Sequence, residues 1–342
     1  MTASLAAWLH TIDPYAIQLW EGGPIRWYGL SYLVGFLIAF LLVRRVARVG
    51  VSTLDYRRAA DLIITLAISI VIGGRLGYIV FYKPNLLVEF SGSLPFWGAL
   101  NIAGGGMSSH GGMIGGLVGA WWFAFRHKQP ILHLFDLLAF AAPLGLFCGR
   151  VANFINGELF GRECDKDFVF AVQFPQEAYE SQEVYNSLTL AYGRDLPRNW
   201  FDILQSGNEA LQQAAITVLP ARHPSQLYAG VLEGLVVFAV LVVIWLKPKR
   251  AGTIAGAFGI TYALMRLINE NFREPDAHLG YQLWGMSRGQ WLSVPLLLAG
   301  VGLVVLAYRL KTPLMGSWRR GEWNRLPATA EGESGSPSPK PE

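Results

Sequence analysis

Charge is scarce in this 342-residue chain: Asp, Glu, Lys and Arg make up 15% of it, where an ordinary globular sequence carries about 25%. With 52% apolar residues beside so little charge, the chain reads as a polytopic membrane protein and not as two soluble domains. Cysteine is nearly absent as well. Cys148 and Cys164 are too few for a disulfide framework, and both read as structural residues. There is no cysteine cluster and no paired His-x-x-x-His, and the segment HPSQLY supplies one histidine, so neither a metal nor any other cofactor is expected. A Gly-x-Ser-x-Gly elbow and a phosphate loop are also missing. The first twenty residues lack a basic n-region and a long apolar h-region, so they are not expected to be a cleaved signal peptide. Their Trp8, Tyr15 and Trp20 suit an anchor among outer head groups. No internal repeat is recognisable.

Long apolar runs are what the chain does have. A helix needs about 20 mostly apolar residues to cross the hydrocarbon. Seven stretches are candidates, near residues 28–43, 62–81, 102–125, 132–148, 227–246, 254–269 and 291–308. Basic residues gather after alternate runs: Arg44, Arg45, Arg48, Arg57 and Arg58 after the first, Arg126 and Lys128 after the third. Lys247, Lys249 and Arg250 follow the fifth, and Arg309, Lys311, Arg319 and Arg320 the seventh. Short basic loops stay in the cytoplasm, which puts the N-terminus outside and the C-terminus inside. These residues account for the formal net charge of +4, so no nucleic acid partner is expected. The expected fold is an all-α integral membrane protein of about seven transmembrane helices. Residues 1–160 would hold spans one to four behind an outer N-terminal arm, and 161–222 a small head domain on the outer face. Residues 223–310 would hold spans five to seven, and 311–342 a cytoplasmic tail, disordered from about 327 where Pro, Ser, Gly and Glu dominate.

Polar residues close behind a span need a reason, because a charge near the middle of a membrane helix costs roughly 2.5–3.5 kcal/mol on insertion scales. The stretch 149–162, GRVANFINGELFGR, holds Arg150, Asn153 and Gly157 at i, i+3 and i+7, with Asn156 and Glu158 at the edge of that stripe. A snorkelling arginine with an end-capping asparagine is the structural alternative; the density of polar groups favours a site. In the sixth run Tyr262, Arg266, Glu270 and Arg273 recur along one helix face. Arg266 and Glu270 could be a neutralising pair, whereas a second arginine on that face argues for an anion held through paired hydrogen bonds. The third run opens GGGMSSHGGMIGG, placing His110 beside Ser108 and Ser109, with Gly112 and Gly116 spaced for helix packing. A histidine there could serve as acid, base or donor. Arg75 with Tyr78, Tyr28 with Tyr32, and His223 with Gln226 and Tyr228 are weaker polar clusters. Unaided, these residues support an anionic substrate held by arginines in the outer half of a membrane bundle.

GRVANFINGELFGR, together with GGRLGYIVFY, GGGMSSHGG, HPSQLY and NFREPDAHLG, resembles the signature set of the phosphatidylglycerol–prolipoprotein diacylglyceryl transferase family, over residues 27–309 or so. The resemblance implies a multi-pass enzyme of the bacterial inner membrane. It would move the diacylglyceryl group of phosphatidylglycerol to the lipobox cysteine of a preprolipoprotein signal peptide, form a thioether and release glycerol-1-phosphate. It also implies site residues. The lipid-binding arginine falls on Arg150, its companions on Asn153 and Gly161, the motif histidine on His110, and the second arginine on Arg266. The sixth-span and first-span tyrosines fall on Tyr262 and Tyr28. Catalytic roles are thus expected for His110, Arg266, Tyr28 and Tyr262, and phosphatidylglycerol binding for Arg150, Asn153, Gly161 and Arg266. Two positions depart from the pattern: Ala229 stands where many members have glutamate, and Ser109 where an aromatic residue is common.

The implied chemistry suits these side chains. A thiol attacks a glycerol carbon and expels a phosphate ester, and arginines hold the developing dianion more tightly than the monoanion in the substrate. A free thiol has a pKa of about 8.5, so either His110 acts as base or an arginine field favours the thiolate. The protein is expected to act as a monomer. Two other classes remain: an anion transporter, which would show counterflow without lipid consumption, and a lipid-binding scaffold, which would release no glycerol phosphate.

Overall fold

The structure, a computed structural model, describes residues 7–18, 24–92, 95–101, 105–274 and 285–321. The tail expected to be disordered from about 327, and the later part of the NFREPDAHLG block, lie outside the described residues.

Helices form wherever the apolar runs are long. They are α1 (Trp27–Val49), α2 (Ala59–Phe81), α3 (Ser109–Arg126) and α4 (Ile131–Asn156), followed beyond residue 224 by α9 (Ser225–Ala229), a π-helix (Gly230–Val236), α10 (Val237–Ile244), α11 (Thr253–Asn269) and α12 (Arg288–Arg309). Among the described residues, five helical stretches are long and apolar enough to cross a membrane: Trp27–Val49, Tyr56–Phe81, Ile131–Asn156, Ser225–Ile244 and Arg288–Arg309. α3 and α11 occupy the other two expected positions and fall short by length or composition. Side chains such as Leu33, Phe125 and Leu298 point outward at 65%, 78% and 66% exposure, as lipid-facing residues of a multi-pass membrane protein do. Inside, Val43, Leu62, Phe123, Leu137, Phe140 and Trp245 form the buried core that joins α1 to α4 and α10.

The third span starts later than its hydropathy suggests, at Ser109 instead of 102. Gly105 and Gly106 sit at φ +82, and their carbonyls, with those of Gly98 and Ala99, accept hydrogen bonds from the Arg75 guanidinium. A buried arginine satisfied entirely by backbone oxygens thus holds this segment out of the helix. The glycine seam is also shifted. A Cβ on Gly73 would lie 2.4 Å from the Gly111 carbonyl oxygen, and one on Gly115 would lie 2.1 Å from that of Ser69. The expected pair, Gly112 and Gly116, instead meets Ile70 at 3.6 and 3.3 Å. Backbone contact between α2 and α3 therefore runs through Gly73, Gly77, Gly111 and Gly115, which no larger residue could share.

α4 and α11 are tied together at a carboxylate. Asp136, 1% exposed, accepts 2.8 Å hydrogen bonds from the backbone N–H groups of Gly252 and Ala255. These are donors that the start of α11 would otherwise leave unpaired.

Between α4 and α9 the chain forms β4 (Val172–Gln173), α5 (Glu177–Glu180), α6 (Gln182–Tyr192), α7 (Trp200–Gln205) and α8 (Glu209–Val218). They enclose their own apolar cluster of Leu188, Trp200, Leu204, Leu211 and Leu219. The N-terminal strand β1 (Trp8–Leu9) pairs in parallel with β4, while β2 (Tyr15–Gln18) and β3 (Pro24–Arg26) make an antiparallel hairpin leading into α1. β5 (Lys249–Arg250) and β6 (Leu314–Met315) form a second antiparallel pair. Arg222 anchors the whole insert: its guanidinium donates to both oxygens of buried Glu177 and to the Gly161 carbonyl, and stacks over Phe160.

His10 lies fully buried where arm and insert meet, ringed by Trp8, Phe154 and Phe174. Burial lowers its pKa from 6.5 to about 4, although a backbone hydrogen bond at Phe154 opposes the shift. The folded state favours neutral imidazole, so its stabilisation is complete above pH 6.5 and is lost as pH falls from there toward 4. Over that window it amounts to an order of 3 kcal/mol. Acidification to pH 4.5 is expected to lower the hydrogen-exchange protection factors of the β1–β4 amides, corrected for the intrinsic pH dependence of exchange, and His10→Phe to remove that loss.

Candidate active site

The stretch 149–162 is a helix end followed by a tight turn. α4 stops at Asn156, and Gly157 takes the left-handed conformation, φ +67, with its N–H on the Asn153 and Phe154 carbonyls. Gly157 is therefore the helix cap and does not continue the Arg150–Asn153 face. Leu159 follows at φ +58, a conformation costing a non-glycine residue on the order of 1–3 kcal/mol. Asn153 and Asn156 both donate to Glu158 Oε1 at 3.1 Å. HPSQLY holds the other side of the turn. Ser225 Oγ donates to the Leu159 carbonyl at 3.0 Å, Gln226 Nε2 to that of Glu158 at 2.7 Å, and Gly161 N–H to that of His223 at 3.0 Å. A Cβ on Gly161 would lie 2.4 Å from the His223 oxygen and 2.6 Å from that of Phe272, so this close approach requires glycine.

Glu233 is the centre of the cluster. It is fully buried and accepts four hydrogen bonds, from Arg150 Nη2 at 2.9 Å, Arg266 Nη1 at 3.0 Å, Asn269 Nδ2 at 3.1 Å and Tyr262 Oη at 3.3 Å. Two arginines from α4 and α11 thus converge on one carboxylate. The π-helix that carries Glu233 is a rare, wide-turned form that is frequent at functional sites. Gly230 and Gly234 let it lie against α4, where a Cβ would come 3.4 Å from Arg150 Cβ and 2.8 Å from Phe147 Cβ. Arg266 also pairs with Glu270, whose other oxygen accepts from Ser287 Oγ at 2.9 Å.

The expected sixth-span stripe is shorter than a single helix face. α11 ends at Asn269, so Glu270 caps it and Arg273 lies beyond, where its backbone bridges to Gly161. Even so, Arg273 reaches the same pocket. That pocket is also lined by Arg150, Arg266, Ser225, Gln226 and Asn269. Arg150 makes one hydrogen bond among the described residues, which leaves most of its five N–H groups uncommitted beside the opening.

The remaining expected residues stand apart from this centre. Asn153 serves Glu158 and not the arginines. Tyr28 stacks edge-on against Tyr32 on α1 at 5.2 Å. His110 lies exposed in the first turn of α3, and its imidazole makes no hydrogen bond among the described residues. The residue that sequence reasoning missed is Glu233, although it is the only Asp, Glu, Lys or Arg between Arg222 and Lys247. A lone carboxylate in an apolar span was itself the signal.

Comparison with known proteins identifies the family. The profile of the family described as "Prolipoprotein diacylglyceryl transferase" matches residues 14–306. Among curated relatives, a phosphatidylglycerol–prolipoprotein diacylglyceryl transferase of Bdellovibrio bacteriovorus is 38% identical over 93% of this chain and 99% of its own length. Proteins of the same name from Neisseria gonorrhoeae and Bradyrhizobium diazoefficiens are 39% and 36% identical, over 85% and 88% of this chain and 94% and 93% of their own.

Proposed function

The chain belongs to the prolipoprotein diacylglyceryl transferase family, and from that membership we propose that Arg150 and Arg266 grip the phosphate of phosphatidylglycerol while its diacylglyceryl group passes to a protein thiol. The protein is a transferase that acts with phosphatidylglycerol on prolipoproteins, the first step of lipoprotein maturation. The observation that carries the residue assignment is the convergence of both guanidiniums on Glu233 at the mouth of a polar pocket.

In the reaction, the sulfur of a lipobox cysteine attacks the glycerol carbon that bears the phosphate ester. A C–S bond forms, the C–O bond breaks, and glycerol-1-phosphate leaves as the thiol proton passes to a base. Glu233 holds Arg150 and Arg266 in place before the lipid arrives, so little reorganisation accompanies charge development on the leaving phosphate. Tyr262 orients the same carboxylate through its hydroxyl. Asn153, through Glu158, and Gly161, through its close approach to residue 223, shape the turn beside the phosphate. Tyr28, on a helix packed along α4, flanks the lipid. His110 is the base in this scheme; its exposed imidazole has no competing partner among the described residues.

The seven helices span the bacterial inner membrane in this reading. The N-terminus and the insert of residues 161–222 lie outside as a head domain, and the protein works as a monomer. The basic residues after alternate helices support that orientation.

The direct test incubates the purified protein with phosphatidylglycerol and a lipobox peptide, then weighs the peptide by mass spectrometry. A diacylglyceryl adduct on cysteine with stoichiometric glycerol-1-phosphate is expected; lipid binding without either product would sink the proposal. His110→Gln is expected to slow transfer by about 10²–10⁴-fold and to change the rate profile across pH 6–9. An unchanged profile assigns the proton to another acceptor.

A further inference from the structure

Two amide oxygens at the pocket have no partner. Gln226 and Asn269 are 2% and 1% exposed, and their Oε1 and Oδ1 atoms accept no hydrogen bond among the described residues. Their orientation is fixed by what their nitrogens do. Gln226 Nε2 donates to the Glu158 carbonyl, and Asn269 Nδ2 donates to the Glu233 carboxylate. Both partners are acceptors only, so flipping either amide would set oxygen against oxygen. The two residues line the pocket that Arg150, Arg266 and Arg273 also line. Buried acceptors are rarely left unpaired in a settled structure, and a cluster of them at a pocket points to a ligand that supplies donors.

We infer that Gln226 and Asn269 read the glycerol head group of the lipid, each accepting from one of its two hydroxyls while the arginines hold the adjoining phosphate. This rests on the phosphate reading given above. The charge pattern selects the donor type: the ammonium of an ethanolamine head could also donate to amide oxygens, but it would have to sit among three guanidiniums. A neutral hydroxyl donates without that repulsion. Head-group choice is thus divided between cations that demand a phosphate and amides that demand an uncharged polyol.

The experiment compares phosphatidylglycerol with its analogue lacking the terminal hydroxyl, phosphatidylpropanediol, in transfer to a lipobox peptide by the full-length protein, Arg150→Ala, Gln226→Leu and Asn269→Leu. Losing a donor to a buried acceptor is expected to lower kcat/KM of the unaltered protein about 5–100-fold for the analogue. The leucine variant at the amide that reads the terminal hydroxyl is expected to narrow that ratio, and the other to slow both lipids alike. Equal use of both lipids by the unaltered protein overturns the inference whether or not the variants fold. So does a ratio kept in both leucine variants, because the amides would then be structural or satisfied by water. Full activity in Arg150→Ala would overturn the phosphate reading instead, so the two failures are distinct.

Discussion

Arg150→Ala is expected to lower kcat/KM for diacylglyceryl transfer by about 10²–10³-fold, the usual cost of removing one donor aimed at developing charge in a water-poor site. The substitution leaves the Glu233 carboxylate with three of its four donors, so the bundle should still assemble. Arg150→Lys is the sharper control. An ammonium can replace the charge but not the planar fork that, on the proposed reading, would serve Glu233 and a phosphate together. Its rate should therefore stay well below that of the unaltered protein. Steady-state kinetics on detergent-purified protein with phosphatidylglycerol would measure both, and near-normal turnover in Arg150→Ala would remove this residue from the mechanism.

Glu233→Ala should be the most damaging single change for stability. A fully buried carboxylate bridges two arginines, and removing one member of such a network leaves uncompensated charges at a cost of about 3–5 kcal/mol. Arg150 and Arg266 would then repel each other with nothing between them. The expected result is a lowered thermal transition in detergent together with loss of transfer. Glu233→Gln keeps the volume but turns an acceptor for four donors into a group that must donate as well. It should fold better than the alanine variant and remain nearly inactive. A thermal transition unchanged in Glu233→Ala would mean that the arginines find other partners.

How much of this was legible in the sequence depended on the physical signal. Apolar length located the long helices, and the cost of charge near lipid singled out Arg150 and Arg266, which the structure brings to one carboxylate. What failed was whatever depended on local backbone shape. The start of α3 is set by Arg75 drawing carbonyls out of a helix, an interaction that no hydropathy window registers. Gly157 looked like part of a helix face because residue spacing cannot reveal the left-handed turn that ends α4. Arg273 continues the residue spacing of a helix that stops at Asn269. Glu233 is the instructive omission. Glu233, one turn after Ala229, supplies the charge that both arginines use.

Asp136 and Arg150 are fourteen residues apart on α4, and Gly252 and Arg266 are fourteen apart at and along α11. The two helices are thus pinned at both ends of equal segments, each roughly 21 Å long at 1.5 Å per residue. Such a pair behaves as a fixed gauge. A thicker or thinner bilayer cannot slide one helix along the other, so mismatch has to be absorbed by tilting the bundle or deforming the lipid around it. The arginines then keep their height while the phosphate plane of the substrate moves past them. In nanodiscs of graded acyl length the enzyme should run fastest at one thickness and slow on either side, and a flat response would mean that the pinned helices do not set the depth of the site.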